Sequence, residues 1–448
     1  MALNSKNNSA SRSDSPEVEE LKTQVISQWQ SLRKYLPADL DEMAKRHKAM
    51  AFQTHSQIGN ASILVHLVCL WTIGSFSLRA CAAFAKATGL ASISHVAWRK
   101  RFIRMQSFLE AVLNHLLSDS GTTTQPRDEL FSKWQVIAVD GTSVPSRWKS
   151  IRLHWALDLA NNKIHQILFD PSRPNWGETF RNFSPQKAQV WVADRIYCTS
   201  VGLRHLVEAG AHAVVRYNRN LTVFADPEKQ KELDPLQLAI PIRRGETKDL
   251  SVWVGTKKGA VIPARLVITR LSRAAQKEQI FQLYRSKIQV TGYTKKLAGY
   301  LIVLTTLEKD EMSGEEVLSL YRLRWQIELR FKRAKSLMGL SENRCENPET
   351  IAIWLLTHLI GQLLLDHVQR DALGEANESY RTSAYYIDQF GWELLRTLLF
   401  SIHTSHLWLF LKRFVAALTL PKSCKKPRTH ERFRQMCERR SEPLWNAA

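Results

Sequence analysis

"WQVIAVD", residues 134–140, is where the texture of this 448-residue chain changes. Upstream, from about residue 21 to 118, apolar residues recur at helical spacing, as in "LEAVLNHLL" (109–117), and nothing alternates with the period of two that marks a strand. From 134 onward come short β-prone runs: "WQVIAVD", "IRLHWALDLA" (151–160), "KIHQILF" (163–169), "AQVWVAD" (188–194) and "AHAVVRY" (211–217). Asn161 and Asn162 join the second and third as a tight hairpin. After "VWVAD", the run "TSVGLRHLVEAG" (199–210) reads as a helix closed by Gly210. Strand, hairpin pair, crossover, strand, helix, strand is the order of a mixed α/β sheet.

From about 217 to 300 the chain is polar and strand-like without long helical periods, for example "LSVWVGTKKG", "ARLVITRL" and "FQLYRSKIQVTGY". This reads as a β-rich insertion. Sheet text resumes at "YLIVLTTL" (300–307), and "SGEEVLSLYRLRWQIELRFKRAKSLMG" (313–339) follows. Ser313 and Glu316 have capping-box spacing and Gly339 closes the run, which predicts one helix of about 25 residues. Beyond it lie the apolar run 351–365, a helical stretch over 392–418 and a basic, Pro-punctuated tail. No internal repeat is present.

Lys and Arg number 63 against 42 Asp and Glu, a formal charge of +21 that points to a polyanionic partner. Hydrophobic residues at 44% argue against disorder. The six cysteines form no C-x-x-C pair, which speaks against a disulfide framework or a zinc ribbon, and Cys424, His430 and Cys437 lack zinc-finger spacing. The polar first twenty residues hold no apolar signal segment and read as a disordered lead-in, so a cytoplasmic protein is expected. The runs 61–77 and 351–365 carry His66, His358 and Gln362 and are short for a spanning helix; buried core helices are expected, with no membrane partner.

Candidate chemistry begins with Asp140 and Asp194, each ending an apolar strand. A strand buried on both faces has no use for a carboxylate along its length, but its carboxyl end can meet a ligand. The third acid is Glu328, alone among Arg322, Arg324, Arg330, Lys332, Arg333 and Lys335. An ion-paired surface helix would alternate signs, so this excess of cations needs another source of negative charge. At helical spacing Tyr321, Arg324, Glu328 and Lys335 fall within an arc of ~60°, with Lys332 beside them. Such a face suits a phosphodiester: the cations hold phosphate oxygens, and the carboxylate joins Asp140 and Asp194 around metal. Three carboxylates are what two Mg²⁺ ions need to activate a nucleophile and stabilise a leaving oxygen. Arg216, at a strand end, is a further DNA-contact candidate. In the N-terminal segment, residues 77–105 read as helix, Gly89 turn and Ser-capped second helix displaying Arg99, Lys100, Arg101 and Arg104. That is either a DNA-binding helix-turn-helix or an ordinary hairpin with a solvated basic face.

Asp140 followed by Gly-Thr, Asp194 in "ADR.Y", and Y-x2-R-x3-E-x6-K at Tyr321, Arg324, Glu328 and Lys335 resemble the DDE transposases of bacterial insertion sequences, specifically the insertion-sequence-four family. The resemblance spans roughly residues 35 to 370. It implies an RNase H-like catalytic core, a mixed sheet with flanking helices, interrupted by a β-strand insertion between the second Asp and the Glu. It also implies Mg²⁺-dependent nicking at element ends, with Mn²⁺ as a substitute, and strand transfer into target DNA within a dimeric synapse. Tyr, Arg and Lys of the motif would hold transposon-end phosphates. Some members pass through a DNA hairpin with a base flipped onto an aromatic, for which Trp253 and Tyr300 are candidates. Ile196 departs from the glycine many relatives carry after "ADR".

The organisation expected is therefore a lead-in (1–20), an all-α DNA-binding domain (21–128), a first segment of the RNase H-like core (129–216), the β insertion (217–300), a second core segment (301–370) and a helical C-terminal region with basic tail (371–448). The leading expectation is a cut-and-paste DNA transposase acting on terminal inverted repeats and target DNA, cytoplasmic and nucleoid-associated. A non-catalytic DNA-binding descendant and an RNase H-like nuclease are the alternatives. All three acids and all four helix positions are intact, which favours activity.

Overall fold

The structure, a computed structural model, describes residues 16–50, 58–118, 133–160, 163–173, 176–257, 259–285, 290–373, 380–382, 384–400 and 419–421. Residues 1–15 of the expected lead-in fall outside these residues, as do the Asn161-Asn162 turn and the tail with Cys424, His430 and Cys437, whereas residues 16–20 of the lead-in are helical and begin the first helix. The described chain forms two compact units. One draws on the chain up to residue 120, Pro145–Lys149 and Arg333–Cys424; the other draws on Gly121–Val144 and Ser150–Lys332.

The first unit opens with six helices: α1 (Pro16–Arg33), α2 (Leu40–Arg46), α3 (Ala61–Thr72), α4 (Leu78–Ala87), α5 (His95–Arg104) and α6 (Gln106–Ser118). Polar caps set their starts. The side chains of Asn60, Ser77 and Ser94 accept backbone N–H groups at the first turns of α3, α4 and α5. Gly89, between α4 and α5, sits at φ +67°, a left-handed conformation that glycine adopts without a Cβ penalty. The expected helix, turn, capped helix is present, and α5 buries Trp98 and Phe102 while Arg99, Lys100 and Arg104 face solvent.

The second unit is built on one mixed sheet of ten strands. They are β1 (Gln135–Val144), β2 (Ile151–Asp158), β3 (Lys163–Phe169), β4 (Gln189–Ala193), β5 (His212–Arg216), β6 (Thr222–Phe224), β7 (Glu232–Leu233), β8 (Thr247–Gly255), β9 (Val261–Arg270) and β10 (Tyr300–Thr305). Their order in space is β3-β2-β1-β4-β5-β10-β9-β8-β6-β7. The β1/β4 and β4/β5 pairs are parallel, whereas β2 and β3 form the antiparallel hairpin and β10 runs antiparallel to both β5 and β9. The chain crosses from β4 to β5 through α7 (Ser200–Glu208), and Gly210 at φ +71° ends that crossover. Trp155, Trp191, Phe180 and Tyr197 are fully buried about this sheet. Truncating any one of them to alanine would cost roughly 3–5 kcal/mol.

Three expectations change here. The strands of 217–300 continue the one sheet through β9 and β10, and the segment also carries α8 (Pro235–Ala239), α9 (Arg273–Arg285) and α10 (Gly292–Leu297). The run ending "FQLYR" is thus helical. It is rich in helix formers, yet α9 buries none of its residues, so no apolar stripe marks it in the sequence.

Second, β1 does not end at Asp140 but runs on to Val144. Its parallel pairing with β4 does stop at Ala138↔Val192, while the antiparallel ladder to β2 continues through Val144↔Ile151. Asp140 therefore sits just past the end of the parallel ladder instead of at a strand terminus.

Third, the long helix predicted over 313–339 is two helices, α11 (Gly314–Leu323) and α12 (Trp325–Ser336). At the joint the N–H of Arg324 donates to the Tyr321 carbonyl and that of Ile327 to the Arg324 carbonyl, each at 3.2 Å. These i to i−3 bonds tighten one turn without turning the chain out of right-handed φ/ψ. The capping box of Ser313 and Glu316 is formed, and Gly339 takes φ +72° beyond the end. Arg265, 3% exposed, fixes the approach to α11: it pairs with Asp249 and donates to the carbonyls of Leu307, Glu308 and Met312, each at 2.9 Å. Helix α11 then packs on β4, β5, β8, β9 and β10.

The chain returns to the first unit with α13 (Pro348–Leu373) and α14 (Ala384–Phe400). Helix α13 packs against α3, α5, α6 and α14. It is long and apolar enough to cross a membrane, but 94% of its apolar window is buried inside the protein, as expected for a core helix. His66 donates its Nε2–H to the Leu399 carbonyl, 2.7 Å away, and His358 donates its Nε2–H to the Met338 carbonyl, so both buried rings are satisfied on one side.

Candidate active site

Asp140, Asp194 and Glu328 belong to the same unit, and the charges of Asp194 and Glu328 reach Asp140. Asp140 Oδ1 accepts the Gly141 N–H at 2.8 Å. Burial pushes its carboxyl up, the charges of Asp194 and Glu328 push it further, and the Gly141 N–H and Arg324 hold it back, leaving it at about 6. Asp194 follows directly on β4, and its Oδ1 accepts the Ile196 N–H at 2.8 Å. Ile196 is 50% exposed, so the turn takes this residue in place of glycine with its side chain in solvent.

Glu328 stands on the first turn of α12 and is held by Arg324 in an ion pair across one turn. Burial draws the Arg324 guanidinium down, but Tyr321, Glu328 and Asp140 more than offset this and leave it raised. The Arg324 guanidinium also lies 5.9 Å from the Tyr321 ring centroid. Burial raises the Tyr321 hydroxyl, against the pull of Arg324 and Arg216. Thus Tyr321, Arg324 and Glu328 come together as the spacing implied, although the tightened turn sits between them. Lys332 is exposed on α12, and Lys335 lies in its last turn, within the helical unit. Arg99, Lys100 and Arg104 are exposed on α5 of that same unit.

Beside Asp194 opens a cavity of about 710 Å³. Arg195, Arg216, Arg219 and Arg324 line it, with Tyr293, Tyr300 and Tyr321. Burial lowers the Arg216 guanidinium, which donates to Gln279 Oε1 at 2.9 Å. Of the two aromatic candidates, Tyr300 lines this cavity, and Trp253, on β8, is absent from its lining. Sequence reasoning missed Arg219, Gln279 and Tyr293, because they reach the cavity from the loop after β5 and from α9 and α10, which carry no motif. It also gave no role to Tyr197, although the "ADR.Y" motif contains it.

Residues 131–364, just over half of the chain, match the family model described as "Transposase DDE domain". The chain belongs to the DDE transposase family. It is 28% identical over 350 residues to the InsL protein of insertion sequence element IS186A from Escherichia coli (strain K12), a match covering 75% of this chain and 92% of that one. The same identity and coverage, over 351 residues, relate it to the transposase for insertion sequence element IS421 of Escherichia coli. The transposase for IS1151 of Clostridium perfringens is 26% identical over 270 residues, 56% of this chain and 55% of that relative. As a DDE transposase this protein is a DNA phosphoryl-transfer enzyme dependent on a divalent metal, and its mixed sheet with flanking helices fits the RNase H-like core of that family.

The acids of the transposase fit such a metal by donor type and by charge. Three carboxylates offer hard oxygen ligands, and the Asp140 carboxyl is raised first by burial and further by Asp194 and Glu328, a penalty on its charged form that a bound cation would relieve. As arranged, Glu328 is drawn to Arg324, and among the described residues no three His, Cys, Asp or Glu side chains stand close enough together to hold an ion.

Proposed function

We propose that Asp140, Asp194 and Glu328 are the metal ligands and catalytic acids of a cut-and-paste insertion-sequence transposase that uses Mg²⁺, with Mn²⁺ substituting. The observation that carries this reading is that Asp194 and Arg324, the ion-pair partner of Glu328, line one cavity rich in Arg and Tyr, with Asp140 within electrostatic reach of both acids. Bound metal would supply an activated water or 3′ hydroxyl and stabilise the leaving oxygen. The protein's own groups do the rest. Asp140 and Asp194, fixed by the N–H groups of Gly141 and Ile196, hold their free oxygens in place. Glu328 completes the set from α12. Arg324 and Arg216 hold the phosphodiester, Tyr321 contacts the backbone, and Lys332 and Lys335 bind phosphates further along α12. Arg99, Lys100 and Arg104 of α5 contact DNA through the helical unit.

The substrates in this reading are the terminal inverted repeats of the element and target DNA, joined in a homodimeric synapse in the cytoplasm, at the nucleoid. Hairpin formation at the ends, with a base received at Tyr300, follows from the family resemblance and from the place of Tyr300 on the cavity wall. The intact acids favour an active enzyme over a DNA-binding relic or a plain nuclease.

The test is cleavage of a labelled duplex carrying the flanking terminal repeat, with Mg²⁺ or with EDTA. Wild type nicks at the repeat end only with metal, and Asp140→Asn, Asp194→Asn and Glu328→Gln bind the repeat without cutting it. Loss of repeat binding in these variants, or cutting that survives them, would remove the three acids from this role.

A further inference from the structure

Two arginines on the wall of the cavity are held in different ways. Arg324 is ion-paired to Glu328, whereas Nη2 of Arg216 donates to the side-chain oxygen of Gln279 at 2.9 Å. Arg216 ends β5, and its backbone is pinned there by pairing with Val303 of β10 and by the Tyr217 N–H, which donates to the Ile302 carbonyl at 2.9 Å. Gln279 comes from α9, a helix that buries none of its residues. At helical spacing Glu278, Gln279, Gln282 and Leu283 share the face that lines the cavity, and the Gln282 amide donates to Glu278 Oε1 at 2.6 Å. The acid beside Gln279 is thus engaged on its own helix, and the acceptor that reaches Arg216 is an amide. Burial is the largest influence on the Arg216 guanidinium and lowers it, with Arg195 and Arg324 adding to the effect. A carboxylate at position 279 would relieve that penalty but would also neutralise the cation, as Glu328 does for Arg324. The uncharged oxygen of Gln279 takes one N–H and leaves the charge and the remaining donors to the cavity.

We propose that Gln279 is a positioning residue of this transposase: its amide oxygen aims the Arg216 guanidinium into the cavity and leaves its charge for a DNA phosphate. This rests on the reading of Arg216 as a phosphate ligand. The rival role for the same bond is a tether that merely holds α9 to β5, and charge separates the two. A tether works as well or better with a carboxylate at position 279, whereas an aimed and available cation requires the neutral acceptor.

The experiment uses the full-length protein and a labelled duplex carrying the flanking terminal repeat, with end binding measured across a salt series beside thermal unfolding. Gln279→Glu keeps an acceptor of the same size and turns the bond into an ion pair. End binding should weaken about tenfold, and the dependence of log K on log salt should flatten by about one unit. Gln279→Met removes the acceptor but keeps the bulk and the charge of Arg216, so affinity should fall about threefold with the salt slope unchanged. Melting temperature should hold in both, because α9 buries nothing. Added to Arg216→Ala, Gln279→Glu should weaken binding little further, since its effect passes through the guanidinium. Wild-type binding by either single variant overturns the proposal. So does a loss from Gln279→Glu that persists in full on Arg216→Ala, which would be repulsion of DNA by the new carboxylate, and a larger loss in Gln279→Met than in Gln279→Glu, which would make the bond a tether. If Arg216→Ala alone leaves affinity and slope unchanged, the reading of Arg216 as a phosphate ligand fails, and the role of Gln279 falls with it.

Discussion

Arg324 and Glu328 are ion-paired across the tightened turn where α11 meets α12. The pair joins the two requirements of phosphoryl transfer in one contact, since the cation that would hold a phosphate also neutralises the acid that would hold a metal. In the proposed roles, an entering phosphodiester would give Arg324 a second anion and ease Glu328 toward the ion, so DNA binding and metal binding should reinforce each other.

Arg324→Ala removes both a phosphate contact and the partner of Glu328. Repeat-end binding should weaken about tenfold, and the dependence of log K on log salt should flatten by about one unit for the lost contact. Lys335→Ala should flatten it similarly without altering Mn²⁺ affinity. Filter binding across a salt series reads both, and an unchanged slope would exclude the phosphate role.

Gly141→Ala should damage the site through sterics alone. The new Cβ meets Glu178 Oε1 at 2.5 Å and Arg152 Nε at 2.9 Å, so the ion pair packed against Gly141 must move. A loss of about 1–3 kcal/mol in unfolding free energy is expected, with a larger fall in cleavage than in repeat binding. Denaturant titration beside the cleavage assay measures both.

Stability should fall on mild acidification because three histidines are held neutral. Burial pulls His66, His154 and His358 down to about 4, against bonds from the carbonyls of Leu399, Trp176 and Met338 that raise them. Their folded values lie below the ordinary 6.5, so the unfolded chain binds more protons between those limits. The stabilisation is complete above about pH 6.5 and is lost as pH falls toward about 4. By about pH 5 each ring would account for on the order of 2 kcal/mol. Urea unfolding at about pH 7 and about pH 5 tests this, and His66→Gln should remove some of the difference.

What the sequence by itself determined is local. Strand and helix order around β1 to β5, the capping box at Ser313 and Glu316, the glycine ends at Gly89, Gly210 and Gly339, and the motif spacing of Tyr321, Arg324 and Glu328 each depend on residues a few positions apart, where propensity and periodicity act. The lone glutamate among cations pointed to a polyanion for the same reason. Only the tertiary structure decided the rest. It joined β10 to β5 and β9 so that the inserted strands extend one sheet, raised α9 as a helix without a buried face, and ended the β1/β4 ladder just short of Asp140. It also bound Arg216 to Gln279 and Glu328 to Arg324. These features depend on which desolvated groups lie side by side after chain segments far apart in sequence have packed, and burial and charge at that range leave no periodic trace in the amino-acid order.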